Sequence, residues 1–129
     1  MARLFLSLGA VFGLLGVALG AFGAHALRER LSPSDLEIFK TGVQYQSYHG
    51  TALLIVGILM LVRPEMKRLN IVGYLFTIGT VIFSGSLYVL SVSGIRWFGA
   101  VTPIGGVCYL AGWLILLVAA ASRPADPNS

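Results

Sequence analysis

Five glycines recur at alternating spacings of four and three residues along an uncharged run from Leu4 to Leu27. The run is long enough to cross a bilayer as a helix, because 24 residues extend about 36 Å and the hydrocarbon core is about 30 Å thick. Glycine weakens a helix in water, but in lipid small residues let a second helix approach to backbone contact. The spacing therefore predicts a spanning helix with one glycine-lined packing face, formed by Gly9, Gly13, Gly16, Gly20 and Gly23.

The composition places the whole chain among membrane proteins. Of its 129 residues, 57% are hydrophobic and 11% are charged, whereas about a quarter of the residues of a soluble protein are charged. The formal charge of +4 is carried mostly by short segments between apolar runs, where cations meet lipid headgroups. We therefore expect the lipid bilayer as a partner and no nucleic acid. The single Cys108 excludes an intrachain disulfide and any CxxC motif.

Three further apolar runs predict three more spans, so the expected fold class is all-α, with four transmembrane helices in a compact bundle. The predicted spans are residues 4–27, 43–62, 70–90 and 103–121, in one domain of residues 1–122 followed by a disordered tail of residues 123–129. Arg63-Pro64 is expected to end the second span, because proline cannot continue a helix without losing a hydrogen bond. Thr102-Pro103 is expected to open the fourth span as N-cap and first-turn proline.

The first connection predicts more than a loop. Ser32-Pro33-Ser34-Asp35 has the form of a helix start, with an acidic residue near the third helical position. We expect a short helix in the headgroup layer that turns at Gly42 into the second span. An extension of the second helix into water is the alternative.

The first apolar run has a second interpretation, because Ala24-His25-Ala26 has the A-x-A form of a signal cleavage site. The run is longer than the apolar region of such signals, which is about 7 to 15 residues, so we expect the mature chain to keep it.

Four spans put both termini on one side of the membrane. Five cations accompany the termini and four lie on the other side: Arg3, Arg63, Lys67, Arg68 and Arg123 against Arg28, Arg30, Lys40 and Arg96. The short, basic connection from Arg63 to Arg68 supplies most of the first set, so the positive-inside rule places both termini in the cytoplasm.

The polar side chains within the spans gather in the half of the membrane nearest the first and third connections. Such groups must find partners inside the protein or in a water-filled hollow, so this half contains either a hydrogen-bonded helix interface or a small vestibule. The candidate vestibule residues are His25, Gln44, Gln46, Tyr48, His49, Ser84, Ser86 and Thr102. His49 is expected inside the bundle, bonded to a polar group on the first or third helix, with Ser84 or Ser86 as the main candidates.

Other site chemistries find no support in the sequence. The spans contain no Asp or Glu, and the chain has no HExxH or glycine-rich phosphate motif. A haem between His25 and His49 is disfavoured by a depth offset of about 6 Å, counted at 1.5 Å per residue. We therefore predict no catalytic residue, metal ligand or cofactor.

Four separated motifs together resemble domain-of-unknown-function family 423, a family of small four-span membrane proteins: Gly20-Ala21-Phe22-Gly23-Ala24-His25, Thr41 to Gln46 with Tyr48-His49, Phe83-Ser84-Gly85-Ser86-Leu87-Tyr88 and Thr102-Pro103-Ile104-Gly105-Gly106. The resemblance implies a multi-pass location in a bacterial inner membrane and no particular reaction. We expect a non-catalytic accessory or assembly subunit, with other membrane proteins or further copies of the chain as partners. The alternative is a binder or carrier of a small amphiphile, a lipid or a quinone, in the vestibule. Closely paired vestibule residues would favour the first function, and a gap between them the second.

Overall fold

The computed structural model describes residues 1–123 and 128. This part of the chain forms four long helices, which we name α1 (Ala2–Leu27), α2 (Pro33–Val62), α3 (Leu69–Ser93) and α4 (Phe98–Ala121). Each is long and apolar enough to cross a membrane, which confirms the all-α prediction with four spans. The predicted disorder of the tail falls mostly on residues outside the described part of the chain.

The helices pack in chain order, α1 on α2, α2 on α3 and α3 on α4. The core lies where α2 and α3 meet, and Phe5 of α1 reaches into it with its side chain fully buried. Met1, the connection from Arg63 to Arg68 and Ser122 lie at one end, which we call the terminal end. The connections of residues 28–32 and 94–97 form the far end. The two central helices are thus enclosed on both sides, while α1 and α4 expose their outer faces.

Glycines bring α1 into backbone contact with α2. A Cβ added at Gly9 would lie 2.7 Å from the carbonyl oxygen of Gly50, and one added at Gly50 would lie 3.1 Å from Cβ of Phe12. Three more glycines face α2 with an added Cβ 3.0 to 3.2 Å from a side chain, Gly16 against Ser47, Gly20 against Val43 and Gly23 against Phe39. The segment Ala18–Gly23, which carries the last two, is π-helical.

Gly13 contributes only its backbone to this contact, since a Cβ added at Gly50 would lie 3.5 Å from the Gly13 nitrogen, and the predicted five-glycine face is corrected there. A Cβ added at Gly13 would meet nothing within 4 Å, and the residue is exposed. At about 100° per residue, Gly13 is displaced by about 40° from Gly9 around the helix, which turns its free position away from α2.

Helix α2 begins as the sequence predicts. The Ser32 hydroxyl oxygen accepts a hydrogen bond of 3.1 Å from the Asp35 N–H, and Pro33 is the first helical residue. The predicted turn at Gly42 is wrong, because the helix runs unbroken to Val62 and includes the predicted interfacial helix. Gly42 serves packing, since a Cβ there would lie 2.8 Å from the Tyr88 ring.

Of the two other predicted helix boundaries, the end of α2 is confirmed and the start of α4 is wrong. Helix α2 ends at Val62, with Arg63 as C-cap, as the following proline predicts. Helix α4, in contrast, begins at Phe98 and contains Pro103, so Thr102 is not its N-cap. The Thr102 hydroxyl instead donates to the Phe98 carbonyl oxygen at 3.3 Å. An apolar extra turn is stable in lipid, where neighbouring side chains can compensate for the hydrogen bond that a proline removes.

Replacing Gly9 with alanine should destabilise the protein, because the new methyl group would overlap the Gly50 carbonyl oxygen, and backbone cannot rotate out of the way. We expect a loss of about 1 to 3 kcal/mol, typical of overpacking, measured as thermal unfolding in detergent. Gly13→Ala is the matched control and should be neutral or slightly stabilising. Equal effects of the two substitutions would contradict the packing of α1 on α2 through Gly9.

Candidate functional site

Gln46 joins three helices through the two ends of its side-chain amide. Its Nε2 donates to the Phe12 carbonyl oxygen of α1 at 2.9 Å, and its Oε1 accepts from the Tyr88 hydroxyl of α3 at 2.6 Å. The side chain is 4% exposed. Because the two halves of the amide serve different neighbours, Gln46 sets the position of α2 relative to both.

Two glycines make room for this connection. A Cβ at Gly16 would lie 3.8 Å from Gln46 Nε2, beside the path to Phe12. The Tyr88 ring rests on Gly42, one turn before Gln46 in the same helix, and lies 5.1 Å from the Phe39 ring between centroids. The small residues of the sequence motifs therefore leave room for the hydrogen-bonding side chains, and they also let the backbones approach.

Two serines of α3 bind its two neighbours. The Ser84 hydroxyl donates to the Gly42 carbonyl oxygen of α2 at 2.7 Å. The Ser86 hydroxyl is 2.6 Å from the Thr102 hydroxyl of α4. Each pair holds a helix interface together, and Ser84 and Ser86 are both buried.

His49 is buried, as expected, but its partners differ from the expected serines. Its Nδ1 is 2.8 Å from the Tyr45 carbonyl oxygen, and its Nε2 is 2.9 Å from Nε1 of Trp113 on α4. Since an indole N–H can only donate, Nε2 must accept, and the ring proton therefore sits on Nδ1 and is donated to Tyr45. The prediction of a partner on the first or third helix, Ser84 or Ser86, is wrong, because both ring nitrogens bond elsewhere, one to the backbone of α2 itself and the other to α4.

An aromatic cluster surrounds His49 and was not foreseen from the sequence. The Tyr109 ring stacks on the imidazole with centroids 3.5 Å apart, and the Phe76 ring meets it edge-on at 5.2 Å. The Tyr109 hydroxyl donates to the Thr80 hydroxyl at 3.0 Å. A signal existed, because Tyr109 and Trp113 lie four residues apart on one face of a spanning helix, and the polar atom of a tyrosine or tryptophan at membrane depth needs a partner within the protein.

Three of the eight candidate vestibule residues lie apart from these contacts. His25 is exposed near the end of α1. Gln44 and Tyr48 lie on an exposed face of α2, where Gln44 Nε2 is 2.5 Å from the Tyr48 hydroxyl. The other five candidates each form a hydrogen bond to another helix: Gln46, His49, Ser84, Ser86 and Thr102.

The buried polar atoms are fully used. Within residues 1–123 and 128, no buried side-chain nitrogen or oxygen lacks a hydrogen-bond partner. Both ring nitrogens of His49 are engaged, so a haem iron could bind there only after one of those bonds broke. In the same residues, no group of three or more His, Cys, Asp or Glu side chains is placed to hold a metal.

Four apolar helices held together by internal hydrogen bonds define a multi-pass integral membrane protein. The family described as "Protein of unknown function (DUF423)" matches residues 19–106, and the chain belongs to that family. This result confirms the resemblance found in the sequence motifs. No solved structure is detectably similar to the chain.

The relatives are named as membrane proteins and carry no catalytic name. UPF0382 membrane protein SH2409 of Staphylococcus haemolyticus is 43% identical over 90% of this chain and 93% of its own length. UPF0382 membrane protein YwdK of Bacillus subtilis is 43% identical over 92% of this chain and 96% of its own. UPF0382 inner membrane protein YgdD of Escherichia coli is 41% identical over 92% and 90%.

Replacing Gln46 with methionine, which has a similar shape, removes both of its helix-bridging bonds. We expect a loss of about 1 to 3 kcal/mol in unfolding free energy, since the Tyr88 hydroxyl also loses its acceptor. In a double-mutant cycle with Tyr88→Phe, the coupling should lie between about 0.6 and 1.7 kcal/mol, the average and the maximum of such measurements for hydrogen bonds between membrane helices. Gln44→Met, on the exposed face, is the control and should change little. A coupling near zero would mean that the bridge is absent in the folded protein.

Proposed function

We propose that the chain is a non-catalytic accessory or assembly subunit of a bacterial inner membrane. The observation that supports this proposal most is the use of Gln46, whose amide bonds both α1 and α3. The polar residues that could have formed a reaction site serve instead as links between the protein's own helices. A small, internally bonded bundle with exposed apolar outer helices is suited to pack against other membrane proteins.

The amphiphile carrier receives less support. That function needs a gap between Gln44, His49 and Ser84, but these side chains are separately engaged. Ser84 bonds to α2, His49 bonds to α4 and Gln44 lies on an exposed face. Close pairing across helix interfaces is the arrangement expected of a scaffold.

The test is purification of the tagged chain from cross-linked native membranes, followed by protein and lipid mass spectrometry. An accessory subunit should bring down the same membrane proteins at a constant ratio, which an unrelated tagged four-span protein should not. His49→Phe serves as the second arm, because it removes the acceptor of Trp113 and should lower thermal stability. A small molecule bound at one per chain, and lost from a His49→Phe variant of unchanged stability, would support the carrier and contradict our proposal.

We also propose that both termini are cytoplasmic, on the basis of the cation distribution. Single cysteines at the exposed positions Glu29 and Ser122, in a Cys108→Ala background, would test it in intact cells. A membrane-impermeant maleimide should label Glu29→Cys at once, and Ser122→Cys only after lysis. The reverse pattern would invert the topology.

A further inference from the structure

A groove of about 860 Å³ opens at the terminal end, between the 63–68 connection and the last turns of α4. Its volume lies within the range of about 300 to 1,000 Å³ that is usual for small-ligand sites. One wall is apolar and consists of Leu114, Ile115, Val118 and Ala119. These residues belong to a spanning helix, and Leu114 and Val118 are 61% and 54% exposed, so the wall can be reached sideways from the lipid.

The rim of the groove is cationic. Four basic side chains line it, Arg63, Lys67, Arg68 and Arg123, together with the carboxylate of Glu65. The Arg63 guanidinium pairs with Glu65, and its hydrogen bond lowers the pKa of that carboxyl, which is therefore ionised at neutral pH. The described lining therefore holds four cations and one carboxylate, which gives these residues a net positive charge.

The groove matches a phospholipid in layout, because its apolar wall corresponds to an acyl chain and its cationic rim to the headgroup. The wall belongs to the candidate span α4, and the cations lie where that helix and α2 end, which is where the ends of spanning helices meet lipid headgroups. Basic pockets at the ends of membrane helices attract anionic headgroups, and arginine binds phosphate oxygens through two parallel hydrogen bonds.

We propose that this groove binds a phospholipid with an anionic headgroup. The phosphate and the headgroup charge lie among Lys67, Arg68 and Arg123, and one acyl chain runs along Leu114 and Val118. The site is separate from the helix-bridging residues around Gln46, and it does not depend on the proposed accessory role.

Lipid binding to the purified full chain in detergent, followed by native mass spectrometry, tests the proposal. Dioleoyl phosphatidylglycerol should bind more tightly than dioleoyl phosphatidylcholine, which has the same chains. The triple variant Lys67→Gln, Arg68→Asn, Arg123→Gln should weaken the first lipid by roughly tenfold to a hundredfold and remove the preference. Asparagine is chosen at position 68 because Arg68 has a φ of 67°, which asparagine adopts more easily than most residues.

The control removes the same number of cations from the far end, as Arg28→Gln, Arg30→Gln, Arg96→Gln, and should keep the preference for phosphatidylglycerol. Ala119→Phe should fill the groove and weaken binding of both lipids, while Ala120→Phe, which does not line the groove, should not. Equal losses in the two triple variants would overturn the proposal, because the attraction would then follow net charge. Full competition by glycerol phosphate alone would also overturn it, since the apolar wall would then contribute nothing.

Discussion

The requirement that every buried polar group find its partner inside the protein governs this structure. In the hydrocarbon region no water can replace a missing hydrogen bond, and an unpaired group costs several kcal/mol. Gln46 meets the requirement by reaching Phe12 and Tyr88 on two different helices. Both bonds need backbones and rings at close range, so the position of one amide restricts three helices at once.

Close range is achieved in two ways. Between α1 and α2 the contact is backbone on backbone, with Gly9 facing the Gly50 carbonyl oxygen. Between α3 and α4 one contact is also backbone on backbone, where a Cβ added at Gly105 would lie 2.5 Å from the Phe83 nitrogen, and two further glycines receive aromatic rings, Gly79 against Tyr109 and Gly112 against Phe76. Lipid chains are as apolar as the helices, so association in a membrane depends on such contact area and not on the hydrophobic effect. The aromatic contacts also bring Tyr109 to the position where it stacks on His49.

The sequence determines the elements of this fold more clearly than the partners of its side chains. Four spans follow from apolar run length, and the Ser32 cap and the end of α2 at Val62 follow from local chemistry. The role of an individual glycine does not follow from local chemistry. Whether Gly42 turns the chain or receives an aromatic ring depends on Tyr88, which lies on another helix.

The candidate site shows the same division. Burial of His49 was predictable, because an imidazole deep in a span cannot reach water. Its partner was not, because several donors lay within plausible reach and the choice depends on rotation of α4 about its axis. The partner in the structure is Trp113. Tryptophan has neither a hydroxyl nor a charge, so the sequence pattern did not indicate it as part of a polar site.

Because the described buried polar side chains are all hydrogen-bonded, the polar residues of the molecule fall into two groups, inner and outer. Inside, a change at Gln46, His49 or Ser84 removes a bond between helices, and its first effect must be on stability. Outside, the Gln44 and Tyr48 side chains and the cations of the 63–68 connection bond only locally or to no described carboxylate. The lipid and protein partners that we propose would contact these outer residues and the exposed faces of α1 and α4, where substitution can alter binding without altering the bundle.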